Sequence, residues 1–157
     1  MVLTVCLYDF SNISFIIDYK MRFQDSDYYK ILTYKRIEKP FDTYYLCDKF
    51  YISDINRGIN FSWIHAQTMI DIILNFYGEQ AKLGFITNRV NNYSVDPQNW
   101  VKAQKEHNFM TINAIVTYSE PSYKVSTLEK HFIKNTLKRC FSLEEAIKWV
   151  QNHDALK

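Results

Sequence analysis

The run Ile112-Asn113-Ala114-Ile115-Val116-Thr117-Tyr118 is nearly apolar on both of its alternating sides, which constrains the fold more than any other feature. A strand with one wet face alternates polar and apolar residues, whereas a strand apolar on both sides must be covered on both. The run therefore predicts a central strand of a parallel sheet with helices packed against it. The surrounding sequence supplies those helices. Ser62 can cap one in which Trp63, Ala66, Ile70, Ile73, Leu74 and Tyr77 form a single apolar stripe, widened by Met69, Ile72 and Phe76. Gly78 suits the left-handed position after its end. Leu83–Thr87 reads as a short buried strand, and Asp96-Pro97 as the start of a helix running to about Glu106. A third helix from about Pro121 sets Val125, Leu128 and Phe132 on one stripe. Leu137–Phe141 is edge-like, and Ser142-Leu143-Glu144-Glu145 is a capping box opening a helix that buries Leu143, Ala146, Ile147 and Val150.

Upstream, Ile31–Ile37 alternates enough for a strand that Pro40 stops. Thr43–Cys47 and Phe50–Ile55 are β-prone runs separated by Asp48-Lys49, the spacing of a tight hairpin. The order β-β-β-α-β-α-β-α-β-α predicts an α/β fold: a small mixed, mostly parallel sheet with an N-terminal antiparallel hairpin and about four flanking helices. One domain is expected over residues 31–151, with residues 1–30 as an extension of undecided order and 152–157 as a polar tail. A chain of 157 residues can bury about 70% of its unfolded surface in one such domain.

Composition excludes several function classes. Nineteen basic and 17 acidic residues leave a net charge of +2, too weak a bias to argue for nucleic acid or an anionic membrane. The cluster Lys30, Lys35, Arg36 and Lys39, interleaved with Tyr28, Tyr29 and Tyr34, is explained as well by a solvated strand face. Aromatics reach 17%, from a general preference for Tyr and Phe over Ala and Gly or from surfaces that stack on a ligand. Cys6, Cys47 and Cys140 are odd in number and far apart, which fits a reducing compartment rather than a disulfide framework. No apolar run approaches the roughly 18 residues of a membrane span. The apolar start is interrupted by Asp9, with no basic flank and no cleavage site, so no signal peptide is expected and the expected location is cytoplasmic. The four histidines lack ligand spacing, no G-x-S-x-G elbow occurs, and three glycines are too few for a phosphate-cradling loop. The expectation is a non-enzymatic protein without a cofactor or metal.

The segment Gly84–Pro97 runs from strand through a polar loop into a helix, where open α/β sheets place binding surfaces. It supplies the candidate binding residues Asn88, Arg89, Asn91, Asn92, Tyr93 and Ser94. A guanidinium beside a helix N-terminus suits a carboxylate or phosphate, and equally can brace its own loop. The asparagines can donate to a ligand or form turns. Tyr93 can stack on a ligand or plug the loop onto the sheet. Glu129 reads as a solvated helical charge, with a pair to Arg89 as the alternative, and His65 reads as incidental to its helix.

The run Asn88-Arg89-Val90-Asn91-x-Tyr93-Ser94-Val95-Asp96-Pro97 resembles the bacterial STAS/SEC14-type proteins of the SpoIIAA-like superfamily. The likeness extends through Gly58, Asn60–Trp63, Phe76–Gly78, Ala114–Val116, Leu128–Lys130 with Phe132, and Phe141–Val150. It implies a small parallel sheet flanked by helices and a regulatory or protein-interaction role, some such domains binding nucleotides or lipophilic molecules. One branch carries a phosphorylatable serine in an Asp-Ser-Ser-Gly pattern at a helix start. Here Asp96-Pro97 stands in that place and Ser94 lies two residues earlier. The leading expectation is a module that binds an unidentified protein partner through residues 88–96. The alternative is a carrier or sensor of a small lipophilic or anionic ligand.

Overall fold

The computed structural model of the chain describes residues 20–157. The expected extension over residues 1–30 therefore lies largely outside the described residues. A 3-10 turn at Phe23–Asp25 leads into a short helix α1 (Tyr28–Ile31). Strands β1 (Lys35–Lys39), β2 (Asp42–Leu46) and β3 (Phe50–Ile55) follow as consecutive antiparallel hairpins. A two-residue strand β4 (Asn60–Phe61) precedes α2 (Trp63–Tyr77). Then come β5 (Leu83–Asn88), β6 (Ser94–Val95), α3 (Gln98–Glu106), β7 (Met110–Val116) and α4 (Glu120–Glu129). The chain closes with β8 (Thr136–Cys140), α5 (Leu143–Asn152) and a 3-10 turn at Asp154–Leu156.

Six strands form one sheet in the order β1-β2-β3-β5-β7-β8, antiparallel through β3 and parallel from there on. The predicted hairpin and mostly parallel sheet are thus present. The both-sides-apolar run lies in β7, between β5 and β8. One face packs Tyr44, Tyr51 and Phe85 against Ala66, Met69, Ile70 and Ile73 of α2 and Trp100 and Ala103 of α3. The Tyr51 and Phe85 rings stack at 4.5 Å, fixed by their positions opposite one another on β3 and β5. The other face packs Ile52, Ile86, Ile112, Ala114 and Val116 against Leu143, Ala146, Ile147 and Val150 of α5.

Four local expectations are corrected. Residues 28–31 are helical and β1 begins only at Lys35, because Tyr29 and Tyr34 fold edge-on around the buried Phe23 instead of alternating across a sheet. The chain therefore joins the core from Met21 and Phe23, ahead of the expected domain start. The C-terminal segment is not wholly polar in placement: Leu156 is buried and its carbonyl accepts from Lys49 Nζ at 2.9 Å. His65 has a definite job, its Nδ1 accepting the Ser62 backbone N–H at 3.0 Å, which satisfies a donor left free at the start of α2. Finally, the α4 stripe faces outward. Val125 and Leu128 are 47% and 62% exposed, while Ser126 and Glu129 are buried.

Candidate functional site

β5 delivers the candidate loop at the carboxyl ends of the parallel strands. The strands step in one direction from β3 to β8. Right-handed crossovers of that kind put α2, α3 and α4 on the same side. The crevice of doubly wound sheets needs the winding to reverse between neighbouring strands, and this stretch contains no reversal. Side chains of the loop fill the space beside the strand ends.

Arg89 is the centre of that filling. Its N–H donates to the Val116 carbonyl at 3.0 Å, tying the loop to β7. Its guanidinium, on a residue only 7% exposed, forms an ion pair and hydrogen bond with Glu129, which is 1% exposed. Trp100 Nε1 donates to the other Glu129 oxygen at 3.3 Å. The Arg89 guanidinium carbon also lies 5.6 Å from the Tyr93 ring centre, in range of a cation–π contact. Burial disfavours the cation, but Tyr93 and Glu129 outweigh it and hold the Arg89 pKa above its usual value. Burial likewise raises the Tyr93 hydroxyl. Of the two roles open to Arg89, the structure has the internal brace, and Glu129 is its partner rather than a solvated charge. Loop, α3 and α4 are pinned at one point.

Asn88 is also internal. Its Nδ2 donates to the Met21 carbonyl at 2.9 Å, and its Oδ1 accepts from the Tyr118 hydroxyl at 2.8 Å. Beside it, burial pushes the Asp54 carboxyl up to about 6 against the opposing effects of Asn88 and Arg22. On the other face of β3, Asp42 accepts from the Ser53 hydroxyl at 2.6 Å, and burial carries its carboxyl up to about 8. Asn91 is half-buried, donating to the Ile55 carbonyl at 2.9 Å and accepting from Arg22 at 3.3 Å.

The remaining candidates lie on a surface rim. Asn92 and Ser94 are exposed, and Tyr93 is half-buried with its hydroxyl inside. β4 and β6 pair in parallel, setting Asn60 beside Ser94, and Ser94 Oγ donates to Asn60 Oδ1 at 3.0 Å. Gly58 N–H donates to the Asn92 carbonyl at 2.9 Å, and Ser94 N–H to the Ile59 carbonyl at 3.0 Å. Gly58 turns the chain at φ +77°, a conformation that other residues adopt with strain. Asp96 accepts from Gln98 N–H at 3.0 Å and so caps α3. The loop after β3 and the loop after β5 form one strapped unit.

No known family profile matches the chain, and no curated protein matches it in sequence. Among solved structures, it is similar to an uncharacterized protein from the DUF3478 family with a SpoIIAA-like fold from Shewanella loihica PV-4. Identity is 11% and the TM-score 0.47, over 76% of this chain and 93% of that one.

A cleft of about 310 Å³ opens at the opposite pole, lined by Leu74, Glu79, Gln80, Glu106, His107, Asn108 and Phe109. The apolar side of α2 packs mainly into the core and contributes Leu74 to this cleft. Among the described residues, no group of three or more His, Cys, Asp or Glu could hold a metal ion, and no helix is long and apolar enough to cross a membrane. The site residues missed from sequence are Trp100, Tyr118, Asn60 and Asp42. Nothing local marks them, since each gains its role from a partner at least 11 residues away.

Proposed function

We propose that the chain is a non-catalytic regulatory module that captures a protein partner through the exposed rim of the 88–96 loop, Asn92 and Ser94 with Asn60 beside them. The observation carrying this reading is the strapping of that rim. Backbone hydrogen bonds from Gly58 and Ser94 hold it from the side, and the Arg89–Glu129 pair holds it from beneath. A surface fixed before binding loses little conformational freedom on association, which favours recognition. The loop's one guanidinium is spent on this support rather than offered to a substrate. Asn88 and Arg89 serve the rim from inside.

The test is capture from native cells with chemical cross-linking, comparing the natural chain with Asn92→Ala, Ser94→Arg and a control, Glu144→Gln on α5. A partner lost with Ser94→Arg and Asn92→Ala but kept with Glu144→Gln supports the assignment. Capture that ignores both loop substitutions overturns it. The alternative, carriage of a small lipophilic or anionic ligand, has a candidate place in the opposite cleft, where Glu79 and Glu106 disfavour an anion. Native mass spectrometry showing a co-purified small molecule would move the assignment there.

A further inference from the structure

Helix α4 carries its apolar stripe on the wrong side for a core helix. Pro121, Val125 and Leu128 recur at offsets of 4 and 7 on α4, with Phe132 in the turn just beyond its end, the spacing that ordinarily marks a buried face. Val125 and Leu128 are nonetheless among the most exposed large apolar side chains described, at 47% and 62%, and Pro121 is exposed with them. The side about 100° around the helix, carrying Ser126 and Glu129, is polar and buried. Glu129 pairs with Arg89 and accepts from Trp100, and Ser126 Oγ donates to the Tyr123 carbonyl at 2.6 Å. Turning the helix to bury Val125 and Leu128 would strip Glu129 from both partners. The outward stripe is therefore locked in place by the buried ion pair.

We propose that this stripe docks a short, acidic amphipathic helix of a partner protein. Two points select that occupant. The exposed apolar surface comes from a few side chains on one 10-residue helix, far short of the roughly 800 Å² that each partner buries in a standard stable interface. A second copy of the chain seated on this stripe alone is thereby disfavoured, while a short segment using anchors at i, i+3, i+4 and i+7 fits. The fringe is net basic: Glu120 and Lys124 pair with each other at 2.7 Å, which leaves the exposed Lys130 and Lys134 as its uncompensated charges. Carboxylates flanking the partner's apolar anchors would meet these lysines, steering association and fixing its direction. This surface is separate from the Asn92–Ser94 rim, so either can fail without the other.

The test uses the full chain and a fluorescein-labelled synthetic helical peptide of three heptads, with leucine at a and d and glutamate at e and g. Fluorescence anisotropy at low salt should show saturable binding. Leu128→Glu should weaken it about tenfold or more, as loss of a central anchor does, and Lys130→Glu should weaken it less. Ser94→Arg should leave it unchanged. Both α4 substitutions lie on exposed positions, and an unchanged thermal melt verifies folding. Three results overturn the proposal: no saturable binding, equal binding of the same peptide with lysine in place of glutamate, or sedimentation showing a dimer that Leu128→Glu dissolves.

Discussion

Arg89 and Glu129 are opposite charges with almost no access to water, so each depends on the other. Removing one partner of such a pair strands the other and typically costs about 3–5 kcal/mol. Arg89→Ala should accordingly lower the unfolding free energy by about that much in urea titration. The double change Arg89→Met with Glu129→Leu should recover most of the loss, since no lone charge remains. A single change within 1 kcal/mol of the natural chain would show that the pair does not seal the loop. Asp42 and Asp54 make a second residue-level prediction. Burial raises both carboxyls, to about 8 and about 6, above the ordinary aspartate value of 3.8 that they hold when unfolded. The folded state then binds more protons than the unfolded one between those limits, so stability falls as pH rises. The decline should be steepest from about pH 4 to 6, where both groups act, and should continue to about pH 8 through Asp42 alone. Asp42→Asn should flatten the segment above pH 6, read from urea midpoints across that range. An unchanged slope would remove Asp42 as its source.

At the scale of elements, α2 was legible because every cue agreed: the Ser62 cap, the inward stripe and Gly78 at φ +86°. His65 was not, since an imidazole at the third helical position can stand in for the usual glutamate or glutamine of a capping box. His65→Ala should lower the melting temperature by about 2–4 °C, the effect of losing about 1 kcal/mol of capping in a domain of this size. The α4 spacing was legible and its direction was not, because periodicity finds an apolar side without saying what that side touches. Glu129 decided the direction, and its partner lies 40 residues earlier in the chain. The candidate loop behaves likewise: its position was evident, but the inward turn of Asn88 and Arg89 depends on Tyr118, Met21 and Glu129. Gly84 is a position where neighbouring side chains leave no room for a Cβ. A Cβ there would lie 2.5 Å from Val150 Cγ1 and 3.2 Å from Phe50 Cβ, so Gly84→Ala should destabilise by about 1–3 kcal/mol through overpacking. Equilibrium denaturation of that variant checks how tightly α5 seats on β5.

For the whole molecule, the six strands of the main sheet, its antiparallel start and its parallel remainder followed from turn residues and runs covered on both sides, whereas the two-residue strands β4 and β6 did not. The contribution of residues 21–29 did not, because their aromatic spacing matches neither a strand nor a long helix. Phe23 is fully buried, with Tyr29, Tyr34 and Tyr45 rings within 5.7 Å of it. Phe23→Ala should cost about 3–5 kcal/mol as a core aromatic deletion, a loss that calorimetry or urea titration would register. Among the described residues the sheet ends at β1, which carries Lys35, Arg36 and Lys39, charges of the kind that discourage unwanted pairing along a sheet edge. The Met21 carbonyl accepts from Asn88 Nδ2 and from the Tyr118 hydroxyl, the latter at 3.1 Å. A ribosome emits Met21 almost one hundred residues before Tyr118. On a nascent chain, then, this clasp stays open until Tyr118 has been made, and it fastens only as its two donors, Asn88 at the end of β5 and Tyr118 just beyond β7, are brought together.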